Sequence, residues 1–265
     1  MRVAPGETTL KGEVARLRRE LERLTLELRE ARSALDQREH ASRQKERQLE
    51  RYAADLRETF KQERVRSGQL RESYMATVRA LSNAVEARDA YTGKHAERVT
   101  AYGIEIARAL GMPSAELAEL EFGFLLHDIG KVAIADAILY KPGALTDSER
   151  ALMVQHPVIG AEIVAGIEFL VQSAAVIRSH HERWDGHGYP DGLTGDEIPL
   201  AARVFSVADV LDALTTDRPY RPACSLAVAR EMISDESGRQ FDPQVVDAFN
   251  AVPDQIFVRI RTEIG

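Results

Sequence analysis

Three residues that can take part in acid–base or metal chemistry lie close together in the segment LLHDIGK. His127, Asp128 and Lys131 follow an apolar run in which Leu120 and Phe124 recur at helical spacing. Ionisable groups in such a buried position need compensation for their lost hydration. A divalent metal ion can provide it, because histidine and aspartate are both good ligands. An isolated His-Asp pair is more often structural, with the histidine hydrogen-bonded in the core and the aspartate capping a turn, so the pair alone leaves both interpretations open.

Other candidate metal ligands occur before and after this pair. They are His95, His156, the adjacent His180 and His181, and the carboxylates Asp209 and Asp212. Each histidine alone could be a surface residue or the first residue of a helix. The two aspartates lie in ARVFSVADVLDAL, which is apolar nearly all round and predicts a buried helix in which Asp209 needs a partner. A core built around one or more metal ions explains the whole set. Mixed histidine and aspartate without cysteine favours iron, manganese or a similar divalent ion over structural zinc.

Several separated motifs, taken in order, resemble those of the HD-GYP family, a branch of the HD metallohydrolases. They are HDIGK, KPGALTDSE with His156-Pro157 after it, HHERWDGHGYPDGLTGDEIPLAARVFSVADVLDALTTDRPYR, and GRQFDPQVVDAF, and the match covers about residues 72–250. The resemblance implies an all-α, HD-type helical bundle. It also implies hydrolysis of cyclic di-GMP, a bacterial second messenger, to linear pGpG.

The resemblance implies roles for individual residues as well. The family's metal ligands match His95, His127, Asp128, His156, His180, His181 and Asp209. Its catalytic lysine near the scissile phosphate matches Lys131. The substrate-facing GYP element matches Gly188, Tyr189 and Pro190, and basic positions that reach the phosphates match Arg218 and Arg221. Lys131 could instead be a surface lysine favoured at a helix C-terminus, and the two arginines could instead form salt bridges.

Two divalent ions per chain, iron or manganese, are the cofactors that this ligand set predicts. We expect His95, His127 and Asp209 to hold one ion, and His156, His180 and His181 to hold the other. Asp128 would be shared between them. Two adjacent metal ions can activate a water molecule and stabilise the charge that builds on a phosphodiester during hydrolysis. Lys131 would neutralise the phosphate or protonate the leaving oxygen.

The position four residues before His95 separates this chain from part of the family. Some members carry a glutamate there and can hold three metals, whereas this chain has Tyr91. A phenol must lose a proton with a pKa of about 10 to bind a divalent ion, so it is a poor ligand near neutral pH. Asp89 is near in sequence but would face elsewhere on a helix. We therefore expect two metals and pGpG as the main product.

Composition limits the alternatives. The net charge of −7 argues against general binding of DNA or RNA, which favours a basic surface. The sequence has no apolar run long enough to span a bilayer and no signal-peptide core, so we expect no membrane association and a cytoplasmic location. The single cysteine, Cys224, cannot form an internal disulfide, and we expect a buried or half-buried thiol there.

Apolar residues before the candidate site follow a heptad pattern. Val14, Leu21, Leu28, Leu35, Leu49 and Leu56 fall on one seven-residue series, and Leu17, Leu24, Ala31 and Tyr52 fall on the second. This narrow stripe predicts a parallel coiled-coil homodimer, although a helix folded back on the globular part is the alternative. Arg38, Ser42 and Lys45 occupy core positions, which weakens the coil locally and suits a signalling helix.

The domain boundaries follow from the same patterns. We expect a disordered tail over residues 1–10, a coiled-coil dimerisation and signalling helix over 11–67 with a break at Gly68, and an HD-GYP phosphodiesterase domain over 72–265. The last part consists of helical segments separated by turn-rich stretches, with no β pattern.

Other functions stay open at the level of sequence. The chain could hydrolyse a related cyclic dinucleotide such as 3′,3′-cGAMP. It could also be a non-catalytic module that binds a cyclic dinucleotide or a signalling partner protein through its GYP face. Retention of every matched ligand and of Lys131 argues against a pure binding module, which needs neither.

Overall fold

The computed structural model describes residues 5–88, 94–217 and 221–264. Every regular element in these ranges is helical, and isolated bridges such as that between Asp185 and Thr194 are the β geometry there. The all-α prediction is therefore confirmed. The α-helices are α1 (Pro5–Glu86), α2 (His95–Ala109), α3 (Ser114–Leu125), α4 (Asp136–Leu139), α5 (Asp147–Met153), α6 (His156–Ala165), α7 (Val171–Ser179), α8 (Leu200–Thr215), α9 (Leu226–Asp235), α10 (Pro243–Ala251) and α11 (Asp254–Ile264); 3₁₀ helices span Ile129–Ala133, Glu168–Leu170 and Gly195–Glu197.

Helix α1 is continuous from Pro5 to Glu86. It begins inside the segment expected to be a tail, and it passes through Gly68, where the predicted break does not occur. One glycine costs a helix about 1 kcal/mol relative to alanine, which the strong helix formers around it can offset. The chain divides into two compact units, Met1–Leu70 and Arg71–Gly265.

In the first unit, the described part of α1 is exposed along its whole length, apolar residues included. Leu21 and Leu49 are 67% and 68% exposed. No helix in the described ranges has the length and apolarity needed to cross a membrane.

The second unit has two apolar cores. The larger core forms where α2, α3, α8 and α10 meet, around the fully buried Phe124, Phe205 and Phe249. A methyl group on Gly103 of α2 would lie 2.3 Å from the Phe124 ring, so only glycine lets α2 approach α3 this closely. Burial of each ring contributes about 1.5–3 kcal/mol.

The smaller core joins the last turns of α1 to α3, α6 and α7, and includes Val78, Phe122 and Ile177. The Ser82 hydroxyl donates to the Leu125 carbonyl at 2.8 Å, at the end of α3. The two cores together fix the direction in which the chain leaves α3, and the His127-Asp128 pair lies in the turn that follows.

Two glycines bring that turn against the start of α6. A methyl group on Gly130 would lie 1.9 Å from the His156 carbonyl oxygen, and one on Gly160 would meet Ile177 at 2.8 Å. The backbone of the 3₁₀ helix Ile129–Ala133 therefore packs directly on α6. This contact places Asp128 beside His156.

Candidate metal centre

All seven predicted metal ligands lie in one cluster within the unit Arg71–Gly265. They come from the start of α2 (His95), the turn after α3 (His127 and Asp128), the start of α6 (His156), the segment after α7 (His180 and His181) and the middle of α8 (Asp209). Side-chain contacts join neighbouring ligands within the cluster, and the ring centroids of His95 and His127 are 5.5 Å apart. The distances are 3.4 Å for His95 to Asp209, 3.1 Å for His127 to Asp128, 3.3 Å for Asp128 to His156, and 3.3 Å for His156 to His180.

Asp128 lies between two imidazoles. Its Oδ2 is 3.1 Å from Nε2 of His127, and its Oδ1 is 3.3 Å from Nε2 of His156. The Lys131 ammonium approaches Oδ2 at 2.7 Å. Burial opposes ionisation of this carboxyl, but the positive charge of Lys131 outweighs it and holds the pKa of Asp128 well below its usual value. Asp128 is therefore an anion, with Oδ2 facing His127 and Oδ1 facing His156.

Three of the histidines share one arrangement of their rings. The Nδ1 atoms of His127, His156 and His180 lie 2.8, 2.8 and 2.7 Å from the carbonyl oxygens three residues earlier, those of Phe124, Met153 and Ile177. A carbonyl oxygen only accepts, so Nδ1 carries the proton in each ring. In the neutral form of each ring the lone pair then lies on Nε2, which faces the cluster, and this is the tautomer that a metal ligand needs.

The histidines of the second predicted ion lie close together. The ligand atoms of His156, His180 and His181 are all within 4.8 Å of one another. Burial and the neighbouring His181 hold the pKa of His180 well below its usual value, and burial and His156 lower the pKa of His181 to about 4. Three neighbouring imidazoles are a suitable donor set for a divalent cation. His156, His180 and His181 therefore fit a site for a divalent metal ion.

His95 is held differently, by a carboxylate. Asp212 is 2% exposed, and its Oδ2 lies 2.7 Å from Nδ1 of His95. Arg98 donates to both oxygens of Asp212, from Nε at 2.6 Å and from Nη2 at 3.0 Å. Burial disfavours a charged His95, but the hydrogen bond that His95 donates to Asp212 and the negative charge of Asp209 outweigh it, so the pKa of His95 is raised. Asp212, a ligand candidate by sequence, instead lies behind His95 and orients it.

The GYP element borders the cluster on the side of His181. The Tyr189 ring centroid is 4.7 Å from that of His181. Burial, together with the charge of Asp128, raises the pKa of Tyr189 to about 12, so the phenol stays protonated. Gly188 packs so closely on the preceding segment that a methyl group would lie 2.4 Å from the Arg183 amide nitrogen. Only glycine fits there, which explains its place in the motif.

Of the two arginines predicted to reach the phosphates, Arg221 lies in the described part of the chain. The exposed Arg221 donates to the carbonyl of Ala213 on α8, so its guanidinium contacts the end of that helix. Arg218, Tyr91 and Asp89 lie outside the described residues. Cys224 is half-buried, as predicted.

Sequence reasoning missed two residues of the site, Arg98 and Glu182. Arg98 follows His95 by three residues and Asp212 follows Asp209 by three, so helical spacing places each pair on one face. That spacing places Arg98 beside His95 and Asp212 beside Asp209, but it does not show that Arg98 and Asp212 contact each other. Glu182 directly follows His181 and is buried, with its carboxylate bound to the backbone of residues 191–193.

Comparisons with known proteins agree with this geometry. Residues 79–245 match the family model of the HD domain. The cyclic di-GMP phosphodiesterase response regulator RpfG of Xanthomonas campestris pv. campestris is 42% identical over 182 residues, which is 68% of this chain and 48% of that protein. A cyclic di-GMP phosphodiesterase of Thermotoga maritima is 41% identical over 180 residues, 67% of this chain and 49% of that protein.

A relative that is named for another substrate is almost as similar to this chain as the two cyclic di-GMP phosphodiesterases. The 3′3′-cGAMP-specific phosphodiesterase 2 of Vibrio cholerae is 39% identical over 197 residues, 74% of this chain and 38% of that protein. The crystal structure of a cyclic GMP-AMP-specific phosphodiesterase of V. cholerae shares the fold, with a TM-score of 0.54 and 22% identity over 71% of this chain and 53% of that one. The chain spans about half the length of these relatives or less. By its family model, its motifs and its relatives, the chain belongs to the HD domain family, in the HD-GYP branch.

Proposed function

We propose that the chain is a metal-dependent phosphodiesterase that hydrolyses cyclic di-GMP to linear pGpG. The observation that carries this proposal is the position of Asp128, with one oxygen toward His127, the other toward His156, and the Lys131 ammonium beside it. A carboxylate in that position suits a bridge between two cations. Relatives named as cyclic di-GMP phosphodiesterases support the choice of substrate.

Two divalent ions, iron or manganese, would be held by the seven clustered ligands. His95, His127 and Asp209 would hold one ion, His156, His180 and His181 the other, and Asp128 would contact both. When bound, the ions would supply positive charge to the reacting phosphodiester and lower the pKa of the attacking water. Nδ1–H donation to backbone carbonyls fixes the rings of His127, His156 and His180 before any ion arrives, which lowers the cost of binding.

The remaining site residues would act on the substrate directly. Lys131 can neutralise a phosphate oxygen or pass a proton from Nζ to the leaving ribose oxygen. The protonated Tyr189 offers a ring face for guanine and a hydroxyl for hydrogen bonding. Arg218 and Arg221 would contact the phosphates, and for Arg221 this requires release from the Ala213 carbonyl.

Hydrolysis of 3′,3′-cGAMP is the second candidate, because some relatives that are 35–39% identical are named for that substrate. Side-by-side turnover of the two cyclic dinucleotides by the metal-loaded chain distinguishes the candidates. We expect faster turnover of cyclic di-GMP. Binding of a cyclic dinucleotide without turnover would instead indicate a non-catalytic module that binds nucleotide or partner protein.

We also propose that residues 11–67 form a parallel coiled-coil homodimer in the cytoplasm. Heptad residues that a partner helix would cover, among them Leu21, Leu28 and Leu56, are 55–67% exposed in the single chain. Burial of such a stripe against a second copy would be favourable by about 25 cal/mol per Å² of apolar surface.

A further inference from the structure

Glu182 is a buried carboxylate directly after the His180-His181 pair. It is 4% exposed and accepts hydrogen bonds from three consecutive backbone amides. Its Oε1 accepts from Asp191 at 2.8 Å and from Gly192 at 3.2 Å, and its Oε2 accepts from Leu193 at 3.1 Å. Converging backbone N–H groups form a site for acceptor oxygens, and the Glu182 carboxylate satisfies all three donors at once.

The loop that carries these amides also contains Tyr189, and further contacts tie it to the same segment. The Tyr189 amide donates to the His181 carbonyl at 3.3 Å. A methyl group on Gly188 would lie 2.5 Å from the Cα of Glu182, so the two backbones are in direct contact. Glu182 therefore binds one end of the loop over residues 189–193. Tyr189, at the other end of the loop, lies against the His181 ring.

We propose that Glu182 is a positioning residue that fixes Tyr189 beside the metal centre and thereby determines the affinity for substrate. The expected effect on substrate affinity rests on the proposed function. The expected effect on the position of the loop does not depend on that function. Glu182 contacts backbone amides and none of the candidate ligands through its carboxylate, so its removal should leave metal binding in place.

An exposed ion pair on the same loop provides a matched control. Arg178 donates from Nε and Nη2 to the two oxygens of Asp191, each at 2.7 Å, but the side chains are 41% and 35% exposed. Solvent-exposed pairs of this kind contribute little to stability. Arg178→Ala removes a contact between the same two segments without touching the buried carboxylate.

Amide hydrogen exchange on the full-length chain without substrate tests the structural part. Glu182→Ala should speed exchange at Asp191, Gly192 and Leu193 by about tenfold or more, the loss expected for hydrogen bonds to a charged acceptor. Glu182→Gln keeps the length and one acceptor oxygen and should give an intermediate rate, which also guards against a variant that does not fold. Arg178→Ala should change these rates by less than about threefold. Equal rates in Glu182→Ala and the unmodified chain would overturn the proposal.

Kinetics on cyclic di-GMP test the functional part. Glu182→Ala should raise KM by about tenfold while kcat falls less than threefold and the bound metal per chain is unchanged. A loss of metal in Glu182→Gln would overturn the proposal, since Glu182 would then support the ligands and not Tyr189. If the unmodified chain does not hydrolyse cyclic di-GMP, the proposed function fails, and the exchange rates still decide whether Glu182 holds the loop.

Discussion

Asp212 binds His95 through Oδ2 and Nδ1, 2.7 Å apart, on the side of the imidazole that faces away from Asp209. The contact links α8 to α2, and Arg98 completes it by donating to both oxygens of the same carboxylate. A carboxylate behind a ligating imidazole fixes its tautomer and makes it a stronger base. The pair Arg98–Asp212 therefore supports one candidate ligand without belonging to the ligand set.

Asp212→Asn should weaken metal binding. The amide removes the negative charge and turns one acceptor oxygen into a donor that opposes Arg98, so His95 loses its fixed orientation. Loss of such a supporting contact typically lowers metal affinity by about 10–100-fold. Competition titration with a chelating dye measures it, and Asp196→Asn, at a 90% exposed side chain, is the control. An affinity equal to that of the unmodified chain would show that Asp212 only stabilises the fold.

Lys131→Ala should separate chemistry from metal binding. The ammonium contacts Asp128 but is not a ligand, so elemental analysis should find the metal retained. Turnover of cyclic di-GMP should fall by about a hundredfold or more, as for a lost general acid or charge-stabilising group. Metal loss in this variant would mean that Lys131 is needed to hold Asp128 in place.

The exposed heptads of α1 predict the oligomeric state. Leu21→Asp combined with Leu28→Asp places like charges in the seam and should yield monomers in light scattering. Glu22→Arg with Arg29→Asp, at two positions on the face of the helix away from the stripe, should leave a dimer. A monomeric unmodified chain, or an unchanged mass in the double aspartate variant, would contradict the coiled-coil proposal.

Tyr91 leads us to expect two metals per chain and accumulation of pGpG. The residue lies outside the described ranges, so the expectation rests on its weak ligand chemistry near neutral pH. Elemental analysis of protein loaded with excess iron or manganese gives the count, and chromatography of the reaction gives the product. Three metals per chain would contradict the count, and rapid conversion to GMP would contradict the product. Tyr91→Glu should then raise the number of ions bound.

Much of this site could be predicted from the sequence, because its ligands belong to motifs with fixed spacing. His127, Asp128, His156 and the His180-His181 pair each lie beside a helix end, and helix ends are visible in the pattern of apolar residues. The supporting contacts were not predictable in the same way. The Arg98–Asp212 pair depends on the packing of α2 on α8, and residues 114 positions apart reveal no contact without that packing.

The continuity of α1 through Gly68 shows a second limit of prediction from the sequence. A glycine in a helix is a local cost that neighbouring residues can offset, so its effect is decided by the whole segment. Glu182 shows a third, since a glutamate in a turn-rich stretch looks solvent-exposed until the loop folds back and supplies three amides.

Hydrolysis of cyclic di-GMP by the unmodified chain and by Asp128→Ala, each loaded with iron or manganese without oxygen, tests the central claim most directly. The account predicts turnover to pGpG by the unmodified chain, its loss on chelation, and no turnover by the variant. Asp128→Ala should also bind less metal and lose roughly 1–3 kcal/mol of stability, since buried histidines lose their partner. Near-normal hydrolysis by Asp128→Ala would contradict a mechanism in which Asp128 is an essential metal ligand.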